Sequence, residues 1–152
     1  MKIDAAKIKE LREKTGAPMQ KALKVYNEQN GDMVKAEAIL KKEGFEKAAK
    51  RAERETSQGV IRTYAHHNGK LVGLVELLCE TDFVAKNELF IKLADELAMQ
   101  VASMGETDKD KLLAQDFIKD PSRKIEDLVK DVIAKTGENI RIGQIIRVEL
   151  GK

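Results

Sequence analysis

Large aromatic side chains are scarce in this chain, which has no tryptophan, two tyrosines and four phenylalanines among its 152 residues. A hydrophobic core must therefore be built mainly from Leu, Ile, Val and Ala, and a phenylalanine in a polar stretch stands out. Cys79 is the only cysteine, so the chain can form no internal disulfide. No histidine or second thiol lies near it in sequence, and we expect a buried packing residue rather than a nucleophile.

Long apolar runs and an excess of one charge are also missing. No stretch is long enough to cross a bilayer, and the first ten residues lack the apolar segment of a signal peptide. These absences favour a cytoplasmic protein without membrane contact. The chain has 28 Lys and Arg against 26 Asp and Glu, a net charge of +2. That balance argues against direct nucleic-acid binding, which usually needs a basic excess.

Motifs for catalysis are absent as well: the chain has no P-loop, no G-x-G-x-x-G and no G-x-S-x-G. The two histidines, His66 and His67, are adjacent. On a strand they would point to opposite faces and could not bind one metal ion together. The acids Glu80 and Asp82 have no base partner nearby. The sequence predicts no metal and no cofactor, and it favours a binding protein over an enzyme.

Three short helices are predicted in residues 1–45. Two breaks separate them, T-G-A-P at 15–18 and N-G-D at 30–32. The predicted helices cover residues 4–14, 18–30 and 33–44, with Asp4 as the first N-cap and Gly44 as the last stop. This is a ubiquitin-associated-like bundle, which buries little surface by itself. Residues 46–58 are charged and rich in alanine, and they predict a helical linker.

An α+β core domain is predicted in residues 59–152. Strands at 60–67 and 71–79 are joined by the hairpin turn H-N-G-K. The second strand is nearly continuous in apolar residues, so we expect both of its faces to be covered. After it come a helix from Glu88 to Gly105 and an irregular segment at 105–120 with a helical turn near Leu112. A second helix, capped by Asp120 and Pro121, stops at Gly137 and is followed by a third strand. In that strand Ile140, Ile142, Ile146, Val148 and Leu150 are expected to face one way. The predicted fold is a three-stranded antiparallel sheet with helices on one face.

Three stretches occur in a fixed order: L-R-E-K-T-G-A-P-M at 11–19, E-L-L-C-E-T-D-F-V-A-K-N at 76–87 and K-T-G-E-N-I at 135–140. Together they resemble the elongation factor Ts family, whose members are guanine-nucleotide exchange factors for the GTPase elongation factor Tu. The resemblance covers nearly the whole chain. The sequence departs from the family pattern at Pro18, where glycine is usual, at Ala22, where cysteine is common, and at Leu78, where asparagine is common.

The resemblance implies specific contacts with elongation factor Tu. The implied contact residues are Thr81, Asp82, Phe83 and Val84 in the core, and Arg12 and Met19 in the N-terminal domain. Phe83 would push between helices of the GTPase, disturb its Mg²⁺ and phosphate site and so release GDP. Asp82 would fix the approach by hydrogen bonds and cap its own helix. Arg12 and Met19 would grip another helix of the GTPase.

The chain also resembles the short members of the family, which correspond to half of the long core and act as homodimers. The sequence has no second core unit and no coiled-coil insertion. The resemblance therefore implies a two-fold homodimer.

Other functions are compatible with part of the sequence. The N-terminal bundle could be a ubiquitin-associated-type module that binds a protein and is fused to an unrelated dimerisation domain, but T-D-F-V then has no role. A nucleic-acid chaperone is disfavoured by the balanced charge and the few aromatics. Judged by residue type alone, Phe83 would be a core residue at a strand-to-helix corner, because most phenylalanines are buried.

Overall fold

A computed structural model describes residues 4–152, which form twelve helices and strands. Residues 1–3 of the predicted N-terminal domain lie outside the described residues. The helices are α1 (Ala5–Thr15), α2 (Met19–Glu28), α3 (Met33–Lys50), α4 (Asp82–Ala85), α5 (Glu88–Met104), α6 (Lys109–Ala114) and α7 (Ile125–Thr136). The strands are β1 (Gln58–Ala65), β2 (Leu71–Cys79), β3 (Asp116–Phe117), β4 (Asp120–Lys124) and β5 (Arg141–Glu149).

Helix α1 begins and ends where its capping residues predicted, whereas α2 covers Met19–Glu28 and stops two residues short of its predicted end. The Asp4 carboxylate accepts a hydrogen bond from the Lys7 amide, and Gly16 ends α1 in the left-handed conformation with φ of 70°. Ile8 and Leu11 are buried and pack with Val25 and Leu40 in a small core of this domain. The three-helix prediction is confirmed for the described residues.

The predicted stop at Gly44 is wrong, because α3 continues without a break to Lys50. A Cβ atom built on Gly44 would lie 3.2 Å from the Cβ of Ala134. Gly44 is therefore a close contact between α3 and α7 and does not end the helix. Ala48, one turn later, is buried in the core of the second domain. The predicted linker is helical only at residues 46–50, and residues 51–57 form turns and extended chain.

The core sheet has the order β1-β2-β5 and is antiparallel throughout, as predicted. Helix α5 crosses one face of it and buries Phe90 and Leu97 against Val75 and Leu77. A Cβ atom on Gly73 would lie 2.4 Å from the Ala98 carbonyl oxygen, so a side chain there would prevent this close approach. The predicted α+β fold class is confirmed.

The sheet face on which the apolar side chains of β5 lie is predicted correctly only for the first half of the strand. Glu76 of β2 faces two residues of β5, Gly143 and Gln144, which makes a β-bulge. The bulge reverses the alternation of side chains: Ile142 before it is buried, and Ile146 after it is exposed. Gln144, where the apolar alternation breaks, marks the position of the reversal. The apolar residues that consequently point away from the helices are Ile146, Val148 and Leu150.

The second strand is covered on one face only within the single chain, so the expectation of two covered faces is not met there. The side of the sheet opposite α5 carries apolar residues that are exposed or half-buried. This open sheet face consists of Ile61 of β1, Val72, Leu74 and Leu78 of β2, and Ile146 and Val148 of β5. Burial of these residues requires a partner.

Asp120 and Pro121 do not cap a helix, contrary to the prediction. They lie in β4, which pairs with β3, and α7 begins only at Ile125. The Asp120 carboxylate instead accepts hydrogen bonds from the backbone and the hydroxyl of Ser122. The helical turn expected near Leu112 is confirmed as α6, in which Leu112 is buried. Among the described residues, no helix is both long and apolar enough to span a membrane.

Candidate partner-binding site

Phe83 projects from the surface directly after the central strand of the sheet. Its side chain is 82% exposed, whereas Phe90, two helical turns later, is fully buried. An exposed ring of this size does not stabilise the fold by burial. The alternative that Phe83 packs in the core at a corner is therefore wrong.

The short helix α4 directs the ring outward because its N-cap and its last two residues are anchored. Thr81 is the N-cap, and its Oγ1 accepts a hydrogen bond from the Val84 amide at 3.4 Å. Ala85 is buried, and Val84 packs against the core. The predicted cap by Asp82 is wrong: Asp82 lies in the first turn, where its charge suits the helix dipole but its side chain faces solvent.

The four residues predicted from the T-D-F-V motif thus divide into two pairs. Thr81 and Val84 face the protein, where they hold the turn. Asp82 and Phe83 face solvent and are free to meet a partner. A carboxylate next to an exposed ring offers both a hydrogen-bond acceptor and an apolar surface, which suits insertion into another protein rather than chemistry on a small molecule.

The turn is held by Glu138, whose importance the sequence did not reveal. Its Oε1 accepts hydrogen bonds from the Glu80 amide at 3.1 Å and the Thr81 amide at 2.9 Å. Its Oε2 accepts one from the Thr81 hydroxyl at 2.6 Å. In return, Glu80 accepts a bond from the Asn139 amide at 2.7 Å. The only sequence signal was the stretch K-T-G-E-N-I, which resembles the family but carried no assigned role.

The same loop holds the chain that leads to the N-terminal domain. The buried Asn139 side chain donates hydrogen bonds to the carbonyl oxygens of Ala52 and Arg54, at 3.2 and 2.8 Å. The Arg54 guanidinium lies 3.6 Å from a carboxylate oxygen of Glu80. Three segments distant in sequence therefore meet at one junction: the linker, the end of β2 and the loop after α7.

A second exposed surface lies between α1 and α2. Arg12 and Met19, the residues predicted to grip the partner, line one groove with a volume of roughly 350 Å³. Ile8 forms part of its lining, and Met19 is 58% exposed. The sequence reasoning missed Lys9 and Leu23, which also line the groove. Their spacing was the available signal, since Lys9 lies three residues before Arg12, and Leu23 four residues after Met19, on one helix face.

Comparison with known proteins gives the family. The family described as Elongation factor TS matches residues 80–152. A protein named elongation factor Ts from Oleidesulfovibrio alaskensis is 40% identical over 194 aligned positions that cover 98% of each chain. One from Fervidobacterium nodosum is 36% identical over 197 positions and 100% of each chain. The chain belongs to the elongation factor Ts family.

Membership assigns the chain to the elongation factors of protein synthesis. The relatives align with the N-terminal bundle and the core together, so a bundle fused to an unrelated domain is not supported. Elongation factor Ts of Clostridium botulinum is 39% identical over 150 positions, which are 99% of this chain but only 49% of that relative. The alignment with the Oleidesulfovibrio protein, by contrast, is 42 positions longer than the 152 residues here.

Cys79 lies beneath the turn and is buried, as predicted. Its thiol donates a hydrogen bond to the Thr81 carbonyl at 3.1 Å. Burial, followed by the nearby charge of Glu138, raises the pKa of the Cys79 thiol to about 11. The thiol therefore stays protonated at neutral pH and does not act as a nucleophile.

This raised pKa predicts a loss of stability in alkaline solution. The unfolded chain ionises Cys79 near pH 9, whereas the folded protein keeps the proton until about pH 11. Above pH 9 the unfolded state binds fewer protons than the folded state, so a rise in pH favours unfolding. The stability that the protonated thiol contributes is therefore complete below pH 9 and is lost as the pH rises through 11. Urea unfolding at pH 8 and pH 11 should show wild type losing about 2–3 kcal/mol more than Cys79→Ser. Parallel pH profiles for the two proteins would contradict this expectation.

The histidine pair is arranged differently from the prediction. Strand β1 ends at Ala65, so His66 and His67 lie in the hairpin turn, and their ring centroids are 4.2 Å apart rather than on opposite faces. The Tyr64 hydroxyl lies 3.2 Å from Nδ1 of His66. Within residues 4–152, no cluster of three or more His, Cys, Asp or Glu side chains could hold a metal ion.

Proposed function

We propose that this protein is a guanine-nucleotide exchange factor that binds elongation factor Tu·GDP and promotes release of GDP during translation elongation in the cytoplasm. The observation that carries the proposal is the 82% exposure of Phe83 on an anchored turn, inside the segment that matches the family. The factor contributes no active site of its own and acts by binding.

In this proposal Phe83 inserts between helices of the GTPase and displaces the groups that hold Mg²⁺ and the phosphates. Asp82, which is exposed beside it, orients the approach by accepting hydrogen bonds. Exchange depends on coupling between two ligands of the GTPase. The exchange factor weakens nucleotide binding, and nucleotide weakens binding of the exchange factor by the same ratio. A tenfold effect corresponds to about 1.4 kcal/mol, and burial of one Phe ring supplies about 1.5–3 kcal/mol. Phe83 alone therefore accounts for about one to two orders of magnitude.

The remaining binding free energy comes from the groove between α1 and α2. Its apolar lining, formed by Ile8, Met19 and Leu23, fits the apolar face of a helix. Lys9 and Arg12 on the same groove favour a helix with acidic residues at its border. We expect this groove to determine affinity and Phe83 to determine the rate of nucleotide release.

The exchange activity is tested by loading elongation factor Tu with fluorescent GDP and following its release into excess unlabelled GDP. Release should accelerate with increasing concentration of this protein and reach a maximum. The Mg²⁺ concentration is held constant, because chelation of the ion would itself release nucleotide. Unchanged release at micromolar protein would refute the proposed function.

The division between affinity and rate predicts a specific result for Met19→Glu. A charge placed in the apolar groove should raise the concentration needed for half-maximal release about tenfold, equivalent to about 1.4 kcal/mol, and leave the maximal rate unchanged. Val34→Glu is the matched control, because Val34 is 78% exposed on α3 and lies outside the groove. A lower maximal rate with unchanged half-saturation would contradict the assignment of the groove to affinity.

We also propose that the open sheet face binds a second copy of this chain in a two-fold homodimer. Its six apolar residues lie on three adjacent strands around Glu76, whose carboxylate accepts a hydrogen bond from the Gln144 amide, and a monomer would leave this apolar surface in water. A sheet packs well on a second sheet of the same kind, with the two inner faces in contact. The Clostridium relative is about twice as long as this chain, which leaves room for a second such unit in one polypeptide.

A further inference from the structure

We infer that Glu138 is a positioning residue for nucleotide release: its carboxylate fixes the turn from which Phe83 projects. This inference rests on the proposed function. Glu138 lies 55 residues after Phe83 in sequence. Its carboxylate accepts three hydrogen bonds from the two residues that follow β2: from the Glu80 amide, the Thr81 amide and the Thr81 hydroxyl. Bonds from neutral donors to a carboxylate are stronger than bonds between neutral groups.

The turn needs this external support because α4 is only four residues long. A helix so short is not stable by itself. Its N-cap oxygen, on Thr81, is in turn oriented by Glu138 at 2.6 Å. Phe83 makes little contact with its own chain, so the direction of its ring depends on the backbone of the turn. A side chain that acts by insertion loses effect when its approach is displaced by about 1 Å.

The position of Glu138 is itself fixed from two sides. Helix α7 ends at Gly137, whose left-handed backbone turns the chain toward β2. On the other side, Asn139 donates its backbone amide to Glu80 and its side-chain amide to the linker carbonyl oxygens. The loop therefore gives the Phe83 turn and the linker a common support, and the two contact surfaces keep a defined relative geometry.

The test compares Glu138→Ala, Glu138→Gln, Phe83→Ala and the double variant Glu138→Ala/Phe83→Ala in the GDP-release assay. Glutamine keeps an oxygen acceptor for the two amides, and its NH₂ group can donate to the Thr81 hydroxyl oxygen. We expect Glu138→Ala to lower the maximal rate at least tenfold, with the half-saturating concentration changed less than threefold. Glu138→Gln should stay within threefold of wild type. The double variant should match Phe83→Ala within twofold, because Glu138 acts through the ring.

Each other outcome overturns the inference. If Glu138→Ala lowers the maximal rate equally in the wild-type and the Phe83→Ala proteins, Glu138 acts independently of Phe83. If Glu138→Gln is as slow as Glu138→Ala, the hydrogen bonds do not position the turn. If Phe83→Ala is slow while Glu138→Ala is fast, the inference fails and the proposed function stands. If wild type itself gives no acceleration, the proposed function fails.

Folding of each variant is checked by thermal unfolding before the kinetic comparison. If Glu138→Ala does not fold, Thr81→Val replaces it. This change removes the hydroxyl's bond to Glu138 and the N-cap bond from the Val84 amide, and it keeps the two amide bonds to Glu138. Thr81→Val should lower the maximal rate about threefold in the wild-type background and have no effect in the Phe83→Ala background. Equal rates for Thr81→Val and wild type would then overturn the inference.

Discussion

Replacing Phe83 with alanine should lower the maximal acceleration of GDP release about ten- to a hundredfold and leave the protein as stable as wild type. The kinetic loss follows from the roughly 1.5–3 kcal/mol that burial of one ring in a partner supplies. The unchanged stability follows from exposure: the ring is 82% in solvent, so its removal leaves no cavity. The measurements are the GDP-release assay and urea unfolding of the same preparations.

Phe90→Ala provides the opposite control for this prediction. The ring of Phe90 is fully buried between α5 and the sheet, so its removal should cost about 3–5 kcal/mol of stability. At temperatures where the Phe90 variant is still folded, its maximal rate should remain near that of wild type. A Phe83 variant that unfolds like the Phe90 variant, or that keeps the full rate, would refute the role assigned to Phe83.

A charge on the open sheet face should dissociate the proposed dimer. Ile146 lies directly opposite Leu74 on this face and is exposed in the single chain. Ile146→Asp would bury an unpaired carboxylate against a second copy, at a cost of about 3 kcal/mol or more, so the dissociation constant should rise at least a hundredfold. The single chain itself should stay folded, because the new side chain is solvated in the monomer.

Sedimentation equilibrium distinguishes the two states. Wild type should approach twice the chain mass of 17.0 kDa, and the Ile146 variant should sediment as a monomer at the same concentration. Lys119→Asp, an exposed substitution in the turn between β3 and β4, is the control and should remain dimeric. Wild type that sediments at 17.0 kDa at high concentration would refute the dimer.

Local signals in the sequence predicted most elements of this fold. Asp4 and Gly16 determine the ends of α1 through bonds within a few residues, and the apolar run of β2 predicts a strand without any partner. The errors lie where distant contacts decide. Gly44 ends no helix because Ala134, 90 residues later, packs against it, and the reversal in β5 depends on a bulge opposite Glu76.

The candidate site was predictable in part, from a family motif rather than from local helix and strand signals. Residue type alone would have placed Phe83 in the core, and only the T-D-F-V motif indicated that it faces a partner. The motif did not show that Thr81 and Val84 face inward, because that division depends on the position of the core and of Glu138. The role of Glu138 was invisible in sequence, since it depends on hydrogen bonds that close a loop of more than 50 residues.

Helix α3 has a consequence for the proposed contact with elongation factor Tu. Its 18 residues run without interruption from the N-terminal bundle to the contact with α7, a length of about 27 Å at 1.5 Å per residue. The helix thus connects the bundle that carries the groove to the domain that carries the Phe83 turn, and contacts between α1 and α7 also hold the two together. A partner must present its two binding surfaces at that spacing, and one inserted residue would turn the groove by about 100° around the helix axis. In the proposed function, the fit of the partner therefore depends partly on a spacing to which α3 contributes, although α3 lines neither contact.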